Sequence, residues 1–242
     1  MNMAALDIAP VPAGAAELDL AGHRLVCDPA GAIYLPEDGL LVVSDLHLEK
    51  GSSFARRGML LPPYDTLTTL AALARLIGRY RPKSVLSLGD SFHDGEAATR
   101  LTPESASHLM TLMRGRHWIW ITGNHDPHHP GALPGETCAE LALGGLVFRH
   151  EPTRNAPAGE IAGHLHPAAR IVWRGQAVQR RCFATDHSRM IMPAFDAYAG
   201  GLNITNRAFH GLFDLAALSA YMLGKDRIYR VNRSYFEPAP RL

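Results

Sequence analysis

The chain alternates short apolar runs with turn-forming polar residues. Residues 18–20, 23–27 and 32–35 read as short strands, parted by Asp28-Pro29 and Glu37-Asp38-Gly39. Residues 40–45 set four apolar residues before Ser44-Asp45, the pattern of a strand covered on both faces. Over 63–80, Leu67, Leu70, Leu73, Ala74 and Ile77 recur with the 3.6-residue period of a helix, which Pro82 ends. Residues 84–88 form a second buried strand, closing in Gly89-Asp90. Residues 103–114 read as a helix, and 118–121 as a third strand closing in Gly123-Asn124-His125-Asp126. Strand, helix, strand, helix, strand implies a parallel sheet. Strands follow at 146–150, 161–164, 170–174, 177–184 and 189–193, then a helix at 209–222 and a closing strand at 227–231. The pattern predicts one domain of two α/β halves over 17–242, after an Ala/Pro-rich segment 1–16 expected to fray.

Composition narrows the class. Of 242 residues, 47% are hydrophobic and 19% charged, which excludes a disordered chain. The net charge of +1 argues against a global field for polyanions, so nucleic-acid contact would need a local patch. Three widely spaced cysteines (Cys27, Cys138, Cys182) exclude a disulfide framework and fit a reducing, cytoplasmic setting. No signal-peptide pattern and no run of 18 apolar residues is seen, so no membrane association is expected. The 13 histidines are the unusual feature.

Several histidines stand at strand ends. The first buried strand ends in Asp45-x-His47, the second in Gly89-Asp90 and the third in Gly123-Asn124-His125-Asp126. Later strands end in His150 and in Gly163-His164-x-His166. Strand pleating would aim Asp45 and His47 to one side, and likewise His164 and His166. Each motif alone has an ordinary explanation as a core histidine, a turn or a surface loop. The five in order, each after a buried-strand pattern, do not. Strand ends converge at one edge of an α/β sheet, where ligands bind. Asp, His and Asn donors without a nearby thiolate suit Mn²⁺, Fe or Zn²⁺. Seven donors exceed what one open catalytic ion needs, and suffice for two ions that clamp a phosphate and activate a water.

The order Asp-x-His, Gly-Asp, Gly-Asn-His, His, Gly-His-x-His resembles the calcineurin-like metallophosphoesterases. The segments SDLHLEKG (44–51), FARRGMLLPP (54–63), GDSFHDG (89–95), GEIAGHLHP (159–167) and MPAFDAYAGGLN (192–203) resemble its bacterial ligase-associated DNA damage response endonucleases. The resemblance implies a four-layer α/β/β/α sandwich. It implies that Asp45, His47 and His166 hold one metal, that Asn124, His150 and His164 hold the other, and that Asp90 bridges. It gives His125 a place beside the phosphate and the leaving oxygen. His93 replaces the aspartate of the phosphatase pattern Gly-Asp-x-x-Asp and resembles the histidine of double-strand-break repair nucleases, which implies a second catalytic histidine. His128 and His129 read as loop residues.

The expected activity is a two-metal DNA phosphodiesterase, an endonuclease of repair in which hydroxide on the metals attacks in line, with Mn²⁺ the favoured ion. The alternative is a small-molecule phosphoesterase acting on nucleotides or pyrophosphate-linked metabolites. A non-catalytic scaffold is disfavoured by the intact donor set. Arg56, Arg57, Arg149 and Arg154, with Arg170, are candidate substrate contacts. The family association implies single-stranded or damaged DNA as substrate, with an ATP-dependent DNA ligase, a helicase and an exonuclease as partners.

Overall fold

A computed structural model describes residues 11–59, 61–62, 64–128, 131 and 133–237. Residues 1–10, and with them most of the segment expected to fray, lie outside these, as do Leu60, Pro63 and His129. The first sheet holds β1 (Ala16–Leu20), β2 (His23–Cys27), β3 (Ile33–Leu35), β4 (Leu40–Val43), β5 (Ser84–Leu88), β6 (His117–Ile121) and β7 (Glu136–Cys138) in sequence order. β1 to β4 form an antiparallel meander, and β4 to β7 pair in parallel. Helices α1 (Lys50–Arg56), α2 (Asp65–Tyr80) and α3 (Pro103–Met113) lie in the crossovers. Thr102 caps α3, its Oγ1 accepting from the Ser105 N–H at 3.1 Å. Arg81, in the left-handed conformation, ends α2 just before Pro82.

The second sheet has nine strands: β8 (Glu140–Leu143), β9 (Leu146–Arg149), β10 (Glu160–Ala162), β11 (Pro167–Trp173), β12 (Gln176–Thr185), β13 (Arg189–Ile191), β14 (Leu202–Asn203), β15 (Ser219–Leu223) and β16 (Ile228–Asn232). Three apolar clusters define the layers. Leu41, Val43, Val85, Trp118 and Trp120 of the first sheet pack under Leu70, Leu73, Leu76, Leu109 and Leu112 of α2 and α3. Alternate residues of the same strands, Leu40, Val42, Leu86, Leu88 and Ile121, meet Phe148, Ile161, Phe183 and Met190 between the sheets. Cys182, Ala184, Ile191 and Met222 cover the outer face of the second sheet with Ile204, Phe209, Leu212, Phe213 and Leu218. The arrangement is the expected two-sheet sandwich, helical on the outer face of the first sheet, while the fourth layer is coil and a 3₁₀ turn instead of helix.

The helix expected at 209–222 is not formed. A 3₁₀ turn (Arg207–Phe209) and coil cover the second sheet, and residues 219–223 are strand β15. Gly211 sits at φ +77°, which interrupts any helix there. Ser219–Leu223 is buried at every position and pairs with β12 and β16, so a full ladder wins over a one-sided helical face. Phe209, Leu212, Phe213 and Leu218 reach the core from the 3₁₀ turn and coil. Among the described residues, no helix is long and apolar enough to cross a membrane.

Candidate metal centre

Every candidate donor sits just past a strand terminus on one edge of the sandwich. β4, β5 and β6 deliver Asp45, Asp90 and Asn124, while β9 and β10 deliver His150 and His164. The strands stop at Val43 and Ala162, so pleating does not aim the Asp-x-His and His-x-His pairs as expected. Left-handed backbone does: φ is +53° at Asp45, +43° at His47, +45° at Asp90, +64° at His164 and +45° at His166. Such conformations cost on the order of 1–3 kcal/mol each and cluster at functional sites. Cross-loop bonds hold them, with the His47 N–H donating to the Asp90 carbonyl at 2.9 Å and the Leu48 N–H to the Ser91 carbonyl at 2.9 Å.

The donor atoms converge. Asp45 Oδ2 accepts from Ser44 Oγ and from the His164 N–H, leaving Oδ1 facing His166 Nε2 at 3.2 Å. Both of these atoms are buried without a hydrogen-bond partner. Asp90 Oδ1 accepts from the His125 N–H at 2.9 Å. Its Oδ2 faces His150 Nε2 at 3.3 Å on one side and His47 Nε2 at 3.7 Å on the other. Around His150 Nε2 stand Asn124 Oδ1 at 2.9 Å and His164 Nδ1 at 3.2 Å. The groups Asp45/His47/His166 and Asp90/His150/His164 each bring one ligand atom per residue within 4.8 Å of the others. Orphaned, buried donors of mixed oxygen and nitrogen type fit divalent metal. The structure brings all seven expected ligands together at one edge.

Backbone and carboxylate partners orient the imidazoles. His150 Nδ1 is 3.2 Å from the Leu88 carbonyl, to which it donates when Nε2 is the free donor atom. His47 Nδ1 is 3.0 Å from Asp196 Oδ2, which Lys50 Nζ also reaches at 3.4 Å. Sequence reading assigned Asp196 no role, although MPAFDAYAGGLN contains it. Asp126 accepts from the N–H groups of Phe92 at 3.1 Å and Gly123 at 3.2 Å, tying the loops after β5 and β6 together. Burial pushes its carboxyl up to about 7.

Three motif glycines are space requirements. A Cβ at Gly89 would strike the His150 ring, at Gly123 the Asp90 carboxylate and backbone, and at Gly163 Ser44 Oγ and Asp45 Oδ2. Gly163→Ala is therefore expected to displace Asp45 and weaken metal binding by at least about 10-fold, as for lost support of a ligand. Isothermal titration with Mn²⁺ checks this, and unchanged affinity would refute the steric assignment.

Charges in the site are strongly coupled. Burial opposes a proton on His47, but hydrogen bonds to Asp196 and Asp90 with the Asp45 charge raise it to about 9. Burial likewise opposes charge on Asp90, yet the hydrogen bonds from His150 and His47 hold its carboxyl far below the usual range. Burial pushes His93 down to about 4, with the charges of His47, His125 and Lys50 adding to it. A folded-state value raised on His47 stabilises the metal-free protein fully below pH 6.5, and that contribution is lost as pH rises through about 9. Metal needs the neutral ring, so binding expels this proton. Apparent metal affinity should rise about tenfold per pH unit up to about 9. In EDTA, Tm should fall from pH 6.5 to 9, while the Tm gain from added Mn²⁺ grows. A Tm gain independent of pH would contradict the assignment of His47 as a ligand.

The two expected catalytic histidines form a pair at the rim. The rings of His93 and His125 stack at 5.3 Å between centroids. His125 Nδ1 is 2.9 Å from the His93 carbonyl, and its Nε2 is 4.0 Å from Asp90 Oδ2. The candidate arginines divide. Arg56 pairs with Glu96 at 2.7 Å, and Arg149 with Glu140 at 2.9 Å and Glu160 at 3.7 Å. Arg57 and Arg154 are exposed and, among the described residues, form no salt bridge.

Residues 40–171, more than half the chain, match the family model described as Calcineurin-like phosphoesterase. Among solved structures, the nuclease MPE of Pseudomonas putida is similar, with TM-score 0.68 and 27% identity over 90% of this chain and 100% of that one. The phosphoesterase Yfce of E. coli gives TM-score 0.40 and 15% identity over 79% of this chain and 97% of that one. A search of the curated proteins gave no match.

Proposed function

The chain belongs to the calcineurin-like phosphoesterase family and is a metal-dependent phosphoesterase, and from that premise we propose that it is a two-metal DNA phosphodiesterase, an endonuclease acting in DNA repair. The observation that carries this reading is the likeness to the P. putida nuclease along that protein's whole length. The open edge supports it: the side chains of His125 and His166 are 42% and 29% exposed, so a polymer can approach.

Asp45, His47 and His166 would hold one ion, and Asn124, His150 and His164 the other. Asp90 Oδ2 lies between the two donor sets and would be the carboxylate shared by them. Mn²⁺ is the proposed ion, because the set mixes imidazole nitrogen with carboxylate and carboxamide oxygen. When bound, the ions supply Lewis acidity at phosphoryl oxygens and a water with its pKa lowered toward about 7.

The remaining steps fall to the chain. His125 donates Nδ1–H to the His93 carbonyl and presents Nε2 to the departing oxygen. The His93 ring, neutral at pH 7, stacks on His125 and fixes its orientation. Arg57 and Arg154 offer unpaired charge to flanking phosphates, while Arg56 and Arg149 would have to exchange a carboxylate for a phosphate. The proposed setting is cytoplasmic, on single-stranded or damaged DNA, beside an ATP-dependent ligase, a helicase and an exonuclease. The test is circular single-stranded DNA with Mn²⁺: linear product is expected. Turnover of small phosphate esters without any cutting of the circle would reject the nuclease in favour of a small-molecule phosphoesterase.

A further inference from the structure

Three rings stand in file at the rim of the metal centre. His125 heads the file, with its Nε2 4.0 Å from Asp90 Oδ2. His93 stacks on it at 5.3 Å between centroids, and Phe54 follows at 5.5 Å from His93, its plane tilted by 38°. Both are favourable distances for aromatic pairs. His93 also meets the His47 ring edge-on at 5.7 Å, so Phe54 lies one ring beyond a contact of the donor set.

Phe54 stands outside the core. It is half-buried on α1 and, among the described residues, belongs to none of the three apolar clusters. The short helix that carries it is nevertheless held firmly. The Gly51 N–H donates to Asp65 Oδ2 at 2.8 Å, Arg100 Nε donates to Ser52 Oγ at 3.1 Å, and Lys50 Nζ reaches Asp196 Oδ2 at 3.4 Å. A ring on a pinned helix loses little freedom when a ligand settles on it. Between α1 and the loop after β5 opens a cleft of about 410 Å³, lined by Ser53, Arg56, Arg57, Asp94, Gly95 and Glu96. Its two arginines are matched by two acids. Arg56 pairs with Glu96 at 2.7 Å, and Asp94 with Arg100 at 2.6 Å. A lining so balanced suits a flat, uncharged ring with polar edges better than a phosphate.

We propose that Phe54 is the stacking face for a nucleobase, that of the nucleotide on the departing side of the cut bond, and that the cleft between α1 and the loop after β5 receives the edges of that base. The inference rests on the nuclease reading and adds to it which neighbour of the cut phosphate is recognised. The side follows from His125: its Nε2 serves the departing oxygen, and the file of rings runs from there to Phe54. Every base has a π face, so the site requires a base without selecting one.

The test fixes the cut bond with a short single strand whose linkages are neutral methylphosphonates except for one phosphodiester. The base on either side of that bond is deleted in turn with a tetrahydrofuran abasic residue. The ratio kcat/KM is measured with Mn²⁺ for wild type, Phe54→Leu and Phe54→Trp. Loss of one stacked base is worth about 5–150-fold. Deleting the base on the fragment released with a free hydroxyl should cost wild type about that factor, and deleting the other base much less. Phe54→Leu should lose a similar factor on the intact strand, and the two losses should not add, as for partners in one contact. Phe54→Trp keeps a π face and should stay nearer wild type than Phe54→Leu; the reverse order overturns the stacking role. A ring that merely packs on His93 would give Phe54→Leu the same loss on every strand, and such additive losses overturn the site. So does a wild type indifferent to base deletion, or sensitive only on the phosphate-retaining side. The same strand with a phosphorothioate at the one diester and 2-aminopurine as the flanking base gives a readout without cleavage. Its fluorescence should be quenched on binding to wild type and much less on binding to Phe54→Leu. Quenching through Phe54 in a protein that cuts no strand keeps the stacking site and rejects the nuclease reading, whereas a wild type that neither cuts nor quenches overturns both.

Discussion

Asp90→Asn should lose about 10²–10⁴-fold in turnover on every phosphate ester, the several kcal/mol that paired ions contribute to stabilising developing charge. The argument is geometric. One oxygen, Oδ2, faces His150 at 3.3 Å and His47 at 3.7 Å, so it alone lies toward both donor sets. The other, Oδ1, is engaged by the His125 N–H at 2.9 Å. An asparagine cannot serve both places. With its NH₂ toward the metals it offers no lone pair, and with its carbonyl turned that way the NH₂ meets the His125 N–H donor to donor. The isosteric volume keeps the loops in place, so the fold should survive. Elemental analysis after desalting should fall from two ions per chain to one or fewer, with near-UV circular dichroism unchanged. Two retained ions with wild-type turnover at saturating Mn²⁺ would exclude Asp90 as the bridge.

Much of this centre was legible because an apolar run that stops abruptly at Asp or His is a strand end, and parallel strands share their C-terminal edge. That logic located Asp45, Asp90, Asn124, His150 and His164 across more than a hundred residues of sequence. It misjudged how they are aimed. Pleat alternation and alternate left-handed residues give the same spacing of two, and only the backbone distinguishes them. Asp196 was hidden for a different reason: its contact with His47 joins a loop after β13 to one after β4, and no local period encodes such a pair. Arg149 shows the same limit. Its charge is absorbed because the β8–β9 register sets Glu140 directly opposite it. The strand at 219–223 fell inside the expected helix 209–222, a segment in which Phe209, Leu212 and Phe213 stand three and four residues apart although they lie outside any α-helix. Helix α1 went unseen because residues 50–56 carry no apolar stripe, and its start is set by Glu49 at φ +64°.

The two rim histidines should separate when assayed on substrates with unlike leaving groups. His125→Ala is expected to lose DNA cleavage by about 10²–10⁴-fold, the usual worth of general acid assistance. A nucleoside alkoxide is a poor leaving group and needs the proton. Nitrophenolate leaves readily, so the same variant should keep most of its activity on p-nitrophenyl phosphate. His93→Ala should behave otherwise. His125 is held by the His93 carbonyl at 2.9 Å, and that bond survives loss of the ring. What is lost is the stacking face against His125 and the edge contact with His47 at 5.7 Å. The cost should be that of a supporting residue, about 10–100-fold, and should fall on both substrates. The pH profile supplies an independent reading. A ring that titrates near 4 is neutral across the working range, so an acid at His93 would make DNA cleavage fall about tenfold per pH unit from pH 4 upward. If His125 carries the proton, no decline should start there, and His93→Ala should leave the shape of the profile unchanged. A selective loss of DNA cleavage in His93→Ala, with the low-pH decline abolished, would move the proton to His93 and leave His125 as a phosphate contact.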